Sequence, residues 1–148
     1  MLSIRRAGTS DVSAVAPLFD AYREFFTRKP DLDVSRRFLA ERLDRDESVV
    51  FAAFDGGVAT GFLQLYPLFS SWYARRQWFL SDLYVDEALR ARGIGRRLVE
   101  AAIAHAESTR ARAILVELPY SEPHLTRFYS QLGLERDAVF ELYRRPMT

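Results

Sequence analysis

The stretch that decides the fold is Leu89 to Leu98, "LRARGIGRRL", in which Gly93 and Gly95 stand among Arg90, Arg92, Arg96 and Arg97. Glycine inside a helix costs roughly 1 kcal/mol relative to alanine, so two of them at a helix start require a reason. Just before them runs "QWFLSDLYV" (77–85), patterned as a strand; from Ile94 onward, Leu98, Ala101, Ala102 and Ala106 recur at helical spacing. A strand, a glycine turn and a helix N-terminus in that order make an anion site. The glycines let successive backbone N–H groups point the same way, and the helix end adds partial positive charge. The flanking arginines suit a pyrophosphate. The alternative is a loop with two flexible residues and solvated arginines. No Lys-Ser/Thr pair follows, which excludes a P-loop, and no G-x-G-x-x-G opens a βαβ unit, which argues against a dinucleotide fold.

Working outward, "LSIRRA" alternates as a first strand, and Ser10 is placed as the N-cap of a helix carrying Val12, Val15, Ala16, Phe19 and Phe26. That helix ends before "RKPD", and a second presents Val34, Phe38, Leu39 and Leu43. "SVVFAAF", the turn "DGG" and "VATGFLQLYPLF" read as an antiparallel hairpin. Beyond the glycine stretch, a helix runs from about Gly95 to Thr109. "RAILVELP" is a strand, and Pro123 to Leu132 a short helix stopped by Gly133. "VFELYRR" is expected as a final strand, exposed enough to pair with a second copy. The order β-α-α-β-β-β-α-β-α-β predicts an α+β fold, a central mixed and mostly antiparallel sheet flanked by helices, as one domain over 1–148.

Composition narrows the classes. At 148 residues, 49% hydrophobic and 28% charged, the chain suits one globular domain. A net charge of +1 gives no global case for nucleic acid or an anionic membrane. Of 21 basic residues all but Lys29 are arginine, which weakens any argument from arginine alone. The absence of cysteine excludes disulfides, thiolate metal sites and a cysteine nucleophile, and suits the cytoplasm. No signal-type apolar segment opens "MLSIRRAGTSD", and "VVFAAF" is too short for a bilayer. His105 and His124 each stand alone, so no metal is expected.

"YVDEALRARGIGRRLVEAA" closely resembles the coenzyme A signature R/Q-x-x-G-x-G/A of the GNAT superfamily of N-acetyltransferases, carried by Arg90, Gly93 and Gly95. "EPHLTRFYSQLGL" is similar to that family's later motif, and the element order over nearly the whole chain is the family's. The resemblance implies acetyl-CoA in an opening between two splayed parallel strands, "FLSDLYV" and "AILVEL". Leu83, Tyr84 and Val85 would line the pantetheine, and Ala91, Arg92, Gly93, Ile94, Gly95 and Arg96 would hold the pyrophosphate, with Phe128 from the later motif. Glu122 stands where the family often has an asparagine, and Leu134 where it has a phenylalanine. Tyr129 occupies the family's tyrosine position and so is implied as general acid to the departing thiolate.

Acetyl transfer needs a deprotonated amine, whose pKa is near 10.4 in a lysine-like acceptor, and so a base or a water relay. Asp82 and Glu117 lie on the two splaying strands and either could face the acceptor. A water-mediated route through Asp82 or Ser81 is expected, Ser81 standing where diamine acetyltransferases have an acid. Without cysteine, transfer is direct within a ternary complex. Tyr66, Phe69, Trp72, Tyr73 and Trp78 could line an acceptor pocket by cation–π contact. Tyr22 and Glu24 resemble the family's acceptor-binding region. The expected acceptor is a small primary amine such as a polyamine or amino acid, with a protein lysine or N-terminus as the alternative. A non-catalytic acyl-CoA-binding module remains a rival class, separated by turnover.

Overall fold

The structure is a computed structural model describing residues 1–147. Its larger unit, Met1–Glu117, is built on a five-stranded sheet in the order β1-β2-β3-β4-β5. These strands are β1 (Leu2–Ala7), β2 (Val49–Asp55), β3 (Val58–Ser70), β4 (Arg75–Val85) and β5 (Ile114–Val116). All neighbours pair antiparallel except β4 and β5, which are parallel. The α+β class and the mostly antiparallel mixed sheet are therefore as the sequence predicts.

Helices α1 (Val12–Thr27) and α2 (Leu32–Asp44) lie over one face of the sheet, and α3 (Ile94–Ser108) over the other. On the first face Val15, Ala16 and Phe19 of α1 and Leu39 of α2 bury against Val50, Ala52 and Phe62. A buried polar knot ties α2 to α1. Asp20 Oδ1 accepts from Ser35 Oγ at 2.6 Å and from the Asp31 amide at 3.1 Å, while Arg23 donates to Ser35 at 2.9 Å. On the second face α3 approaches β3 closely at Gly61, where an added Cβ would stand 3.3 Å from both Ile94 Cγ2 and Leu98 Cδ1. Glycine there is a packing requirement.

Three expectations change. Ser10 does not cap α1; it lies inside a short 3-10 turn, Thr9–Asp11. That turn is fixed because Asp11 accepts from both Arg5 Nη atoms, at 2.9 and 2.8 Å, and from the Gly8 amide at 2.9 Å. The penultimate strand is only Ile114–Val116, because its parallel ladder stops at Leu80↔Val116. The final strand is absent. In the smaller unit, which begins at Leu118, α4 (Pro123–Ser130) is followed by Gly133 at φ 86°, and no regular element forms after it among the described residues. Asp137 Oδ1 takes the amides of Val139 and Phe140, at 2.7 and 2.8 Å, a local bond that competes with any strand ladder.

Candidate active site

Between Leu65↔Leu80 and Gln64↔Asp82 the β3–β4 register slips by one residue, leaving Ser81 without a cross-strand partner. A bulge of this kind reverses which face the following side chains take. Trp78 and Leu80 therefore point to the α3 face, whereas Asp82 shares the α1 and α2 face with Gln64 and Phe62. Asp82 is 5% exposed at a cleft of about 320 Å³, lined also by Phe19, Tyr22, Arg23, Val34, Phe38, Tyr66 and Ser81.

The carboxylate is held from three directions. Gln64 Nε2 donates to Oδ2 at 2.5 Å and Ser81 Oγ to Oδ1 at 2.8 Å, and the Tyr22 hydroxyl also favours the charged form. Burial outweighs these bonds and pushes the Asp82 carboxyl above the usual carboxylate range. Tyr66 beside it is pushed up to about 12, by burial first and then by the Asp82 charge. An acid of raised pKa lined by aromatic rings can take a proton from an ammonium and hold that cation by its π faces.

On its other side β4 outruns β5 by five residues, since pairing ends at Leu80 while β4 continues to Val85. Ser81 to Val85 thus lie on an edge without a β5 partner, the stretch containing Leu83, Tyr84 and Val85. The chain then makes a short turn in which Asp86 Oδ1 accepts from the Ala88 amide at 3.0 Å. Ala91 at φ 63° and Gly93 at φ 81° both adopt left-handed backbone around Arg92. Gly93 is the N-cap of α3 and brings no side-chain acceptor, so the opening amides of Ile94, Gly95 and Arg96 have no capping side chain. Arg90 folds back, donating from Nε to the Val85 carbonyl at 2.9 Å with its guanidinium 5.1 Å from the Tyr84 ring. Arg96 pairs with Glu100 at 2.9 Å, and Arg92 is exposed. An uncapped helix start beside a strand edge fits the phosphate and amide groups of a coenzyme A molecule.

In the smaller unit Tyr129 is 4% exposed, with Phe128 edge-on at 5.0 Å. Burial raises the Tyr129 phenol well above its ordinary value, so it keeps its proton at neutral pH. Glu122 is half-buried as the residue preceding α4 and lies 3.4 Å from His124 Nδ1.

Other predicted residues scatter. Glu24 and Glu117 are exposed, and Trp72 is 79% exposed in the β3–β4 turn, outside the Asp82 cleft. Of the aromatic run only Tyr66 reaches that cleft; Phe69 and Trp78 line a cleft on the α3 face. Sequence reasoning missed Gln64, Phe19, Phe38 and Arg23. Gln64 had one signal, an amide in the otherwise apolar "GFLQLY".

Residues 15–134 match the Acetyltransferase (GNAT) family. The chain belongs to that family and is a GNAT-type N-acetyltransferase. It is 39% identical over 142 residues to the uncharacterized N-acetyltransferase YhfO of Bacillus subtilis, covering 96% of this chain and 95% of that protein. A D-amino-acid N-acetyltransferase of Saccharomyces cerevisiae is 30% identical over 95 residues, covering 63% and 58% of the two chains. The crystal structure of a probable acetyltransferase matches at a TM-score of 0.94 with 34% identity, covering 99% of this chain and 98% of that one. No helix of the described residues is long and apolar enough to cross a membrane.

Proposed function

We propose that the protein transfers acetyl from acetyl-CoA directly to the amine of a small apolar amino acid, with Asp82 as base and Tyr129 as acid. The observation that carries this reading is the bulge at Ser81, which turns one buried carboxylate into an aromatic cleft. A polyamine would call for several carboxylates along its length, whereas Asp82 is the single carboxylate lining the cleft. The only other charged group there is Arg23, with its side chain 29% exposed, a fitting partner for an acceptor carboxylate. The named activity of the yeast relative, on D-amino acids, supports the same class.

In this reading the acceptor ammonium loses its proton to Asp82, directly or through water beside Ser81. The free amine attacks the thioester carbonyl, and a β4 backbone N–H steadies the oxyanion. The carbon–sulfur bond then breaks as the Tyr129 hydroxyl gives its proton to the coenzyme A sulfur, and the second proton, shed by the nitrogen as the amide forms, returns through water to the Tyr129 oxygen. The Ala91–Arg96 amides hold the pyrophosphate, and Leu83 to Val85 hold the pantetheine, with Glu122 and Phe128 contributing from the later motif. Residues 1–148 act as one catalytic domain, a reading supported by a family match that runs from residue 15 to 134. The cysteine-free composition supports a cytoplasmic setting. The exposed apolar Val139, Phe140, Leu142 and Tyr143 support pairing with a second copy as a homodimer.

The test is release of coenzyme A thiol across a panel of apolar D- and L-amino acids, polyamines, lysine peptides and peptides with free N-termini. Highest kcat/KM on apolar amino acids is the expected result. Preference for polyamines or peptides overturns the acceptor assignment, and binding of acetyl-CoA without transfer to any amine overturns the catalytic reading.

A further inference from the structure

The α3 face of the sheet carries a second open cleft, of about 450 Å³, within the range of small-molecule sites. It lies at the far end of α3 from the glycine turn. His105, which lines it, is eleven residues beyond Ile94, about 16 Å along the helix. The β4 bulge separates it from the acetyl-transfer cleft, because Trp78 and Asp82 face opposite sides of the sheet.

Its polar groups are built but unanswered. Ser48 is 3% exposed and its hydroxyl has no hydrogen-bond partner; Nε2 of His105 is likewise buried and unpartnered. Leaving such groups unpaired costs about 1–3 kcal/mol each, so both point to an occupant that pairs with them. The walls are aromatic. Trp78 lies 4.9 Å from the His105 ring, and its indole N–H is already satisfied by Thr109 Oγ1 at 2.9 Å. The charged groups are Arg76, whose guanidinium sits 4.9 Å over Phe69 and 5.2 Å over Trp78, and the pair Arg6 and Asp46, in contact at 3.9 Å. Burial, together with Arg6 and Arg76, lowers the His105 pKa and so favours the neutral ring. Two guanidiniums and one carboxylate leave the lining one positive charge in excess.

We propose that this cleft is a second ligand site, for a small aromatic monocarboxylate. The ring packs on the exposed Phe69 beside the edge of the buried Trp78, and the carboxylate lies by Arg76 and Arg6. Its oxygens accept from the Ser48 hydroxyl and from the Nε2–H tautomer of His105. This assignment does not depend on the acetyl acceptor.

Benzoate is the probe, read by the fluorescence of Trp78 in a Trp72→Phe background where it is the sole tryptophan. The expected result is saturable binding that persists at saturating acetyl-CoA. It should weaken about tenfold for the neutral isostere benzamide and for Arg76→Gln, and several-fold for Ser48→Ala. No saturable change up to about 10 mM benzoate, equal binding of benzamide, or displacement by acetyl-CoA overturns the proposal. So does undiminished affinity in an Arg76→Gln variant of native circular dichroism. Should that variant fail to fold, the benzamide comparison and Ser48→Ala decide.

Discussion

The Tyr22 hydroxyl on α1 donates to the Ser81 carbonyl on β4 at 2.9 Å, across 59 residues of sequence. The bond lands on the one residue of β4 that the bulge leaves without a cross-strand partner, and the same hydroxyl favours the Asp82 carboxylate. One phenol thus ties down the bulge through the Ser81 carbonyl and adds a smaller favourable interaction to the charge that the bulge presents. Tyr22→Phe should leave that carbonyl unanswered, at a cost of about 1–3 kcal/mol, and move the Asp82 carboxyl still further up. Urea unfolding measures the first effect, and an upward shift in the acidic limb of kcat/KM the second. An unmoved limb would remove Tyr22 from the charge network.

Asp82→Asn should lower turnover by about 10²–10⁴-fold, the usual contribution of a positioned base. The sign of the stability change follows from burial. A carboxyl raised in the fold carries no penalty below its unfolded pKa, near 3.9, and loses stability as pH rises through its higher folded value. Asp82→Asn should therefore gain thermal stability relative to the parent at pH 7, and the gain should vanish on acidification below the ordinary carboxylate range. Thermal melts of both proteins across that range check it.

Tyr129→Phe keeps the ring and removes the acid. Turnover should fall within about 10²–10⁴-fold while acetyl-CoA affinity holds, since the phenol acts on the departing sulfur. Wild-type turnover across the pH range would make Tyr129 a packing residue.

Acetyl-CoA at about one hundred times its Kd should stabilise the protein by near 2.7 kcal/mol through mass action. Gly93→Val should reduce that gain sharply. An added Cβ meets nothing within 4 Å, so the effect must come from φ 81°, which a β-branched residue resists. Gly95→Val, one step into α3, should weaken binding by obstructing approach to the opening amides. Thermal shift with and without ligand distinguishes both from loss of fold.

Asp11 is held down to about 2, first by the Arg5 side-chain hydrogen bonds and then by the Gly8 amide. Its stabilising effect is present above the unfolded pKa, near 3.9, and disappears as pH falls through the folded value. Asp11→Asn should thus be less stable than the parent at pH 7 and equal to it near pH 2, as read by urea midpoints.

The hairpin, the three long helices and the glycine turn were legible because each is a local pattern: alternation, a 3.6-residue period, a glycine pair. The face of Asp82 was not. Strict alternation through "LSDLYV" places Leu80 and Asp82 on one side, and only the register against β3 inserts Ser81 and separates them. Gln64 was hidden for the same reason, since an amide reads as solvent-facing until its partner 18 residues away is known. The aromatic run "YPLFSSWYARRQW" looked like one wall, yet its rings divide between two faces and a turn. "VFELYRR" has strand alternation, but alternation records only which side chains share a side. A strand also needs a neighbour for its amides, and two of these go to Asp137.

The near absence of lysine has a chemical consequence for a protein that handles an activated acyl group. Thioesters acylate free amines without help, and guanidinium groups, protonated at any physiological pH, are poor targets. Lys29 is the sole side-chain amine in the chain and sits in the turn after α1, where its amide and carbonyl both engage Thr27 Oγ1. Self-labelling by the protein's own cosubstrate therefore has one side-chain address. A Lys29→Arg variant would leave no side-chain amine for acetyl-CoA to mark, a low-background form of the protein in which transfer to added amines can be counted.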